Sequence, residues 1–386
     1  MTLHADIAVI GGGPVGLAFA LAASTGARKV IVLEANTGAA SDTRTLALAQ
    51  GSRLILERLG VWSSTLLATE IQSIHVTQRG GFGQTVIHAK DCDTPALGYT
   101  LSYRALLAAL TQCAAERHLE IIEGAQVLDI STTGTFGAVT YSHAGVEQVL
   151  SANLIVMADG GRSPIQLTGI QIKNKDYGQV ALLARVSPDR PHAGIAYERF
   201  TSAGPIALLP VGNEFGLVWT VAPVEAVRIT ALDDASYLNE FQQAFGDYAG
   251  KFHGLNSRFQ FPLKLRYAAP TTANRIALIG NAAQALHPVA GQGFNLGLRD
   301  AEQLARLLNA LDAGIDCGTM TLLQKYRRSR LPDTRTGIGF TDGLVRSFSN
   351  ANPVMRAGRG LGLAALQLAP FARRRLAERM MFGMSP

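Results

Sequence analysis

Residues 6–34 constrain this chain more than any other stretch. Asp6-Ile7-Ala8-Val9-Ile10 is a short, apolar, β-branched run, which predicts a buried parallel strand. Gly11-Gly12-Gly13-Pro14-Val15-Gly16 follows directly, and an Ala/Leu-rich helix opens at about Pro14. A second apolar run, Lys29-Val30-Ile31-Val32-Leu33, then ends on Glu34. This is a βαβ unit with G-x-G-x-x-G at its first turn. Gly11 permits the tight turn, Gly13 lets a pyrophosphate approach the backbone, and Gly16 lets helix and strand pack closely. The helix start aims bare N–H groups and a positive dipole end at the phosphates. Glu34 sits where a carboxylate accepts from a ribose. Strand, helix and acid agree, so the turn reads as a dinucleotide site rather than as a plain Gly-rich loop.

At 386 residues the chain has material for about two domains. With 47% hydrophobic and 17% charged residues it is globular and rather apolar. No apolar run reaches the roughly 20 residues that span a bilayer, and the early first strand leaves no room for a signal peptide. Cys92, Cys113 and Cys317 are scattered and form no C-x-x-C pair, which predicts reduced thiols in a cytoplasmic protein. The eight histidines show no metal-ligand spacing, so no metal is expected.

The net charge of +6 is concentrated at the C-terminus. Arg346, Arg356, Arg359, Arg373, Arg374, Arg375 and Arg379 face a single acid there, Glu378. Leu361, Leu363, Leu366, Leu368, Phe371, Leu376, Met380 and Phe382 recur among them at roughly helical spacing. A nucleic-acid arm would not carry these apolar residues, so nucleic acid is not an expected partner. Two readings fit: a basic amphipathic contact for an anionic membrane surface or a protein partner, or a solvated Arg face on a helix docked to the core.

Along the chain, a polar loop after Glu34 leads through residues 42–48 to a helix ending near Leu59, with Gly60 as its C-terminal glycine. Residues 71–88 alternate around Gly80-Gly81-Phe82-Gly83 and predict a β-hairpin. Residues 103–116 predict a helix, and 119–122, 126–130, 137–142 and 148–156 predict strands. From about residue 176 to 267 the texture changes to strands with turns, such as 181–186, 195–200, 206–209 and 216–221, interrupted by one helix at about 234–245. Residues 275–280 return to a buried strand, 294–313 predict a helix, and the chain from 324 is helical with breaks near Pro332, Pro353 and Pro370. The expected fold is α/β with an α+β insert: a Rossmann-like nucleotide-binding domain on a parallel sheet (1–70, 98–175 and 268–325), a mostly antiparallel β substrate domain (71–97 and 176–267), and C-terminal helices with a basic tail (326–386).

Two more glycine turns follow apolar strands. Ala158-Asp159-Gly160-Gly161-Arg162-Ser163 ends one; the stretch from Gly280-Asn281-Ala282-Ala283-Gln284 through Leu286-His287-Pro288 to Gly291-Gln292-Gly293-Phe294-Asn295 ends another and opens a helix. Backbone N–H groups at Gly291, Gly293 and Asn295 would face an electron-rich ring edge or a developing anion.

In this order the three turns resemble the single-component FAD-dependent aromatic hydroxylases of the p-hydroxybenzoate hydroxylase fold, over nearly the whole chain. The family's third motif usually begins Gly-Asp-Ala-Ala-His; here Asn281 and Gln284 stand for the Asp and the His. The wording from Gly280 to Gly297, with Arg44-Thr45-Leu46-Ala47-Leu48, Glu198-Arg199-Phe200 and Gly204-Pro205-Ile206, is similar to the ubiquinone-biosynthesis branch. The resemblance implies an oxidoreductase with bound FAD, NAD(P)H as electron donor and O2 as co-substrate. Such an enzyme hydroxylates a 2-polyprenyl-6-methoxyphenol-like ring by way of a flavin C4a-hydroperoxide.

Carried over, Gly11, Gly13, Pro14 and Gly16 would hold the pyrophosphate and Glu34 the adenosine ribose. Arg44 and Arg104 would contact phosphate or ribityl oxygens, and Val127 would offer backbone to the adenine. Asp159 and Gly160 would support the ribityl region, with Asn281 in place of the usual carboxylate. Gly291, Gln292, Gly293, Phe294 and Asn295 would cradle the pyrimidine edge. No side chain announces itself as the phenol's base. His287, Pro288, Pro210 and Tyr197 are active-site candidates, with His192 behind them, and a packed or structural role competes for each. The implied partners are the prenylated phenol, other ubiquinone-biosynthesis proteins or a lipid-handling assembly, and a membrane met peripherally from its inner face. A hydroxylase of a small soluble phenol, and a flavin-bearing subunit without catalysis, stay open beside this reading.

Overall fold

The computed structural model describes residues 3–26, 28–38, 42, 44–286, 291–312, 314–348 and 352–384. His287 and Pro288 therefore lie outside the described residues.

Strand Leu3–Ile10 is buried from Ile7 onward and pairs in parallel with Val30–Glu34 on one side and Val146–Met157 on the other. Helix α1, Pro14–Ala23, makes the crossover between the first two. Glu120–Glu123 and Ile276–Leu278 extend the sheet in parallel, with Thr272–Ala273 antiparallel at one edge. Both faces are covered, so these strands are apolar at nearly every position. Ile7, Val9, Val32 and Val156 meet Phe19 and Leu304 on one side; Ala8, Ile31, Leu33 and Ile155 meet Val139 and Tyr141 on the other. The latter two come from an antiparallel excursion, Gln126–Thr132 and Gly137–His143, folded against the sheet.

Helices α2, Gln50–Arg58, and α3, Tyr103–Glu116, pack beside α1, with Ile55, Leu106 and Leu110 facing Leu17 and Leu21. Between them Thr45–Ala49, Gly98–Ser102 and Thr69–Ile71 form a small antiparallel sheet. The Thr100 hydroxyl donates to the Pro210 carbonyl and ties this small sheet to the next one.

That second large sheet runs Gln284–Ala285, Phe252–Ala269, Gln171–Pro188, Glu214–Val221, Pro205–Val211, Ile195–Phe200, Ser73–Gln78, Gln84–His88. Its pairs are antiparallel except Ile195–Phe200 with Ser73–Gln78. One face buries Leu182, Leu208, Leu217 and Trp219 under two helices, α4 (Pro223–Thr230) and α5 (Asp234–Phe245). Only the second was expected. Val224 and Val227 lie exposed on α4, so its apolar residues do not form the one-sided stripe by which a sequence reveals a helix.

Helix α6, Gln292–Asn309, lies on the parallel sheet beside α1. Helix α7, Met320–Phe348, runs unbroken through Pro332, contrary to the expected break. Arg330 and Asp333 on either side of that proline are both locked into buried ion pairs, and tertiary contacts override its local cost. Helices α8, Pro353–Leu368, and α9, Pro370–Phe382, each start with proline in the first turn, as the breaks at Pro353 and Pro370 require. The Asn352 carboxamide oxygen caps α8 by accepting from the Val354 and Met355 amides. Helix α9 buries Ala377 and Met381 against Ile87, Cys92 and Leu97, so it is a docked element rather than a free arm. No described helix is long and apolar enough to cross a membrane.

Candidate cofactor site

In the parallel sheet the connections leave in opposite directions from Leu3–Ile10 and Val146–Met157, which opens a crevice at their carboxyl ends. Three glycines shape it. Gly11 has φ +105°, and a Cβ there would lie 2.7 Å from the Ala158 carbonyl oxygen. A Cβ on Gly16 would lie 2.0 Å from the Gly11 oxygen, so only glycine lets strand and helix meet. Gly13 is different: a Cβ there would meet nothing nearer than the Tyr103 hydroxyl at 3.6 Å. The space in front of Gly13 is open. No side chain caps α1 and no acid lies in its first turn, so its N–H groups face this space. A pyrophosphate fits such a cradle.

Glu34 lies against the glycine turn. Its Oε2 accepts from the Gly12 amide (2.6 Å) and its Oε1 from the amide and carboxamide of Asn36 (2.9 and 2.6 Å). The Glu34 carbonyl accepts from the Ala125 amide, which brings the backbone next to half-buried Val127 alongside. Arg44 lies over the rings of Tyr103 and Phe261, at 5.7 and 5.2 Å, and is paired with Asp42. Burial raises the Asp42 carboxyl, but hydrogen bonds from Arg44 and its charge outweigh that and hold it below the usual carboxylate range. Arg104 is exposed in the first turn of α3, where the Ser102 hydroxyl caps the helix.

Asp159 ends the strand Val146–Met157 and folds its own loop, with Oδ1 accepting from Gly161 N (3.0 Å) and Oδ2 from Ser163 N (2.7 Å). Gly160 and Gly161 both have φ +72°. The loop opens onto a cleft of about 490 Å³ lined by Asp159, Gly161, Ile165, Arg266 and Ala282. Asn281 projects to the surface while Arg266 Nη1 donates to the carbonyls of Asn281 and Ala282 (3.3 and 3.1 Å). Gly280 packs against Val15 and Gly297, which joins the third turn to the first.

Gln284, the departure from the family pattern, is buried and donates to Asp300 Oδ2 (2.5 Å), which also accepts from Gly280 N (3.2 Å). Arg330 Nε donates to Asp300 Oδ1 (2.7 Å), Arg330 Nη2 to Asp333 Oδ2 (2.8 Å), and Arg299 Nε to the same oxygen (2.8 Å). Burial pushes the Asp300 carboxyl up against the pull of Arg330. Every contact it makes is with a donor, so it acts as an acceptor-only carboxylate. This chain of buried polar groups fixes the turn that carries Asn281. Sequence reading quoted Asp300 only as the end of the third glycine stretch and missed its partners Arg330 and Asp333, because buried ion pairs formed across helices leave no local signal.

Gly291 adopts φ +60° at the start of α6, where no side chain caps the helix, and a Cβ on Gly293 would meet nothing within 4 Å. This second uncapped helix start fits an electron-rich ring edge. Gln292 Nε2 donates to the Met380 carbonyl (3.5 Å), and Phe294 packs into the core beneath Leu298 and Leu48. The Asn295 side chain is wholly committed to the protein. Its Oδ1 accepts from Ala49 N and the Ser52 hydroxyl (2.7 Å each), and its Nδ2 donates to the carbonyls of Ala47 and Gly291 (3.0 and 2.7 Å).

The structure places the remaining described candidates on the second large sheet or in the loop that leads into it. Tyr197 shares the helix-covered face of the second sheet with Leu208 and Leu217, its ring edge-on to Phe215 and Phe245 at 6.0 and 5.8 Å. Burial pushes its phenol above the usual range. Arg44, Leu183, Leu209, Val218 and Phe259 line the opposite face around a small space of about 40 Å³. Tyr197 is therefore a core residue on the far side. Both His192 nitrogens are occupied, Nε2 with the Gly212 carbonyl (2.7 Å) and Nδ1 with Gly194 N (3.0 Å). Pro210 is buried, and its contribution is the carbonyl that accepts from Thr100. Among the described residues no group of three or more His, Cys, Asp or Glu side chains could hold a metal.

Residues 4–338 match the family model described as an FAD binding domain. The chain belongs to this family of FAD-dependent aromatic-ring monooxygenases. Ubiquinone hydroxylase UbiL of Rhodospirillum rubrum is 34% identical over 374 residues, covering 94% of this chain and 86% of the relative. The 3-demethoxyubiquinol 3-hydroxylase of Escherichia coli is 30% identical over 390 residues, covering 96% of each. Among solved structures, p-nitrophenol 4-monooxygenase PnpA from Pseudomonas putida superposes with a TM-score of 0.80 over the full length of both chains, at 18% identity. That likeness is one of fold, and it agrees with the parallel sheet, antiparallel insert and C-terminal helices described above.

Proposed function

We propose that this FAD monooxygenase hydroxylates the ring of a polyprenylated phenol, of the 2-polyprenyl-6-methoxyphenol class, on the way to ubiquinone, with NAD(P)H as donor and O2 as co-substrate. One observation carries the reading: two uncapped helix starts, at Gly13 and at Gly291, belong to one crevice in a chain that ubiquinone hydroxylases match nearly end to end. The bound flavin would supply electron storage and oxygen activation.

The chain supplies position, charge and dryness. Residues 1–70, 98–175 and 268–325 would form the flavin domain. Gly11, Gly13, Pro14 and Gly16 would receive the pyrophosphate on the α1 amides, and Glu34 the ribose. Arg44 and Arg104 would answer phosphate or ribityl oxygens, Val127 the adenine, and Asp159, Gly160 and Asn281 the ribityl chain. The turn over 291–295, held by the Asn295 side chain, would aim amides at the pyrimidine edge and stabilise negative charge there. Residues 71–97 and 176–267 would cover the ring, with Leu183, Leu209 and Val218 keeping water out.

A prenylated phenol resides in lipid, so the protein would work on the cytoplasmic side of a membrane, held there peripherally by its basic C-terminal helices or by other biosynthetic proteins. The test is the absorption spectrum of the purified protein followed by turnover of a short-chain prenylated methoxyphenol with NAD(P)H. The expected result is a flavin spectrum and a product carrying one added oxygen. NAD(P)H consumption that releases only peroxide with this substrate, yet is fully coupled with a simple water-soluble phenol, would replace the substrate class. A flavoprotein with no hydroxylated product from either would overturn catalysis itself.

A further inference from the structure

Helix α8 buries Leu363 on one side and presents a second apolar side to solvent. Val354, Gly358, Leu361, Ala365 and Leu368 recur at steps of three and four residues on its solvent side, which makes a continuous outward stripe. Val354, Leu361 and Leu368 are 76%, 62% and 84% exposed, Met355 beside them 44%, and Phe371 at the start of α9 71%. An ordinary surface helix keeps polar residues on its outward side. Here Leu363 is buried and Leu366 half-buried against the protein, and that side is held by polar contacts as well. Arg359 Nε donates to Gln78 Oε1 (3.2 Å) and its Nη1 to the Ser347 carbonyl (2.6 Å). Gln367 Oε1 accepts from Val86 N (2.8 Å), Gln78 Nε2 donates to the Arg356 carbonyl (3.0 Å), and the Thr85 hydroxyl donates to the Leu363 carbonyl (2.6 Å). These bonds fix the rotation of α8 against the strand edge Gln84–His88, so the helix cannot roll its outward stripe inward. Gly360 meets Phe82, where a Cβ would lie 2.6 Å from the Phe82 carbonyl oxygen, and this holds the helix close. About 24 Å of helix is thus left facing outward with no polar side chain on the stripe.

Charge selects what covers it. Among the described residues no carboxylate pairs with Arg356, Arg375 or Arg379, and Arg375 lies over the Phe371 ring at 5.2 Å. The acids near α9 are already taken: Asp91 by Arg373, and Asp93 and Glu378 by Arg374. A second copy of this chain pairing through the same face would set arginine against arginine with no acid to offset them. An anionic lipid surface offers both what the stripe lacks, an apolar layer, and what the arginines lack, negative charge.

We infer that the outward stripe of α8, with Phe371, is a membrane-docking surface that seats the enzyme on an anionic bilayer, with Arg356 and Arg375 at the headgroups. It rests on the proposed lipid-borne substrate but is tested without it. The flavin-loaded protein is floated with vesicles of phosphatidylcholine, pure or with roughly one part in three phosphatidylglycerol. Co-flotation is expected with the anionic vesicles and not with the neutral ones. The Leu361→Gln/Leu368→Gln variant alters only exposed side chains. It is expected to keep its flavin spectrum, its circular dichroism and its turnover of a water-soluble short-chain phenol, while its vesicle partitioning falls by more than about tenfold. Arg356→Gln/Arg375→Gln is expected to lose the preference for anionic lipid. Wild-type protein that stays with neither vesicle, or a Leu variant that floats as well as wild type, overturns the docking surface. A wild-type dimer in solution that the Leu variant splits, with no vesicle binding, assigns the stripe to self-association instead. Failure of hydroxylation with flotation intact would strike the substrate reading and leave the surface standing.

Discussion

Replacing Asn295 with alanine tests whether the turn proposed to meet the pyrimidine edge is placed by a side chain bonded only to the protein. Asn295 is 2% exposed and makes four hydrogen bonds, two accepted and two donated, joining the start of α6 to residues 47, 49 and 52. At about 1 kcal/mol net for each, with the former partners left in a buried site, Asn295→Ala should cost about 4 kcal/mol. Asn295→Asp is the discriminating control. It keeps the shape and both accepting contacts, but it turns a carboxylate toward the carbonyls of Ala47 and Gly291, so it should cost at least as much as alanine despite being nearly isosteric. Urea unfolding followed by circular dichroism gives the stability term, and FAD titration of the apoprotein gives the affinity. Both should fall together, because the Gly291 carbonyl that fixes the turn is one of the four partners. A loss below about 1 kcal/mol for alanine, or an aspartate variant as stable as wild type, would refute the reasoning.

The two open and closed glycines of the first turn should behave differently. Gly13→Ala meets only an ordinary contact with Tyr103, so the apoprotein should unfold at the wild-type urea concentration while FAD binds at least about tenfold more weakly. Gly16→Ala collides with the Gly11 carbonyl and should lower apoprotein stability outright, seen in the same titration. Asp333 is held below the usual carboxylate range: burial opposes this, and Arg299 and Arg330 outweigh it. Its folded value lies below its unfolded one, so its contribution is complete above about pH 4 and is lost as pH falls through the folded value. Thermal unfolding from about pH 6 down to about pH 3 should therefore be steeper for wild type than for Asp333→Asn, which starts less stable. Tyr197→Phe, on the far face of the second sheet, should leave kcat and coupling unchanged within a factor of about two in stopped-flow and product assays.

The three glycine turns were legible because their requirements are local. A turn that needs a positive φ, a helix that needs a bare start and strands buried on both faces all leave their mark within a few residues, at Gly11–Gly16, Asp159-Gly160 and Gly291–Gly293. What escaped was set by partners distant in the chain. Val224 and Val227 hid α4 by lying exposed, and Pro332 stayed inside α7 because Arg330 and Asp333 are anchored elsewhere. Gln284 stands out in the sequence only as a departure from a pattern, whereas in the fold it is the donor that satisfies buried Asp300.

The sequence by itself determined that this chain builds a dinucleotide crevice on a parallel sheet and closes with basic, apolar helices, because period, glycine and charge are properties of short segments. Only the tertiary structure decided which side each residue faces. It turned Tyr197 toward the aromatic cluster, committed the Asn295 side chain to protein partners, and set α8 with Leu363 inward and Val354, Leu361 and Leu368 outward. The physical reason is that orientation is fixed by hydrogen bonds and packing between segments tens to hundreds of residues apart, and no window of sequence contains both partners.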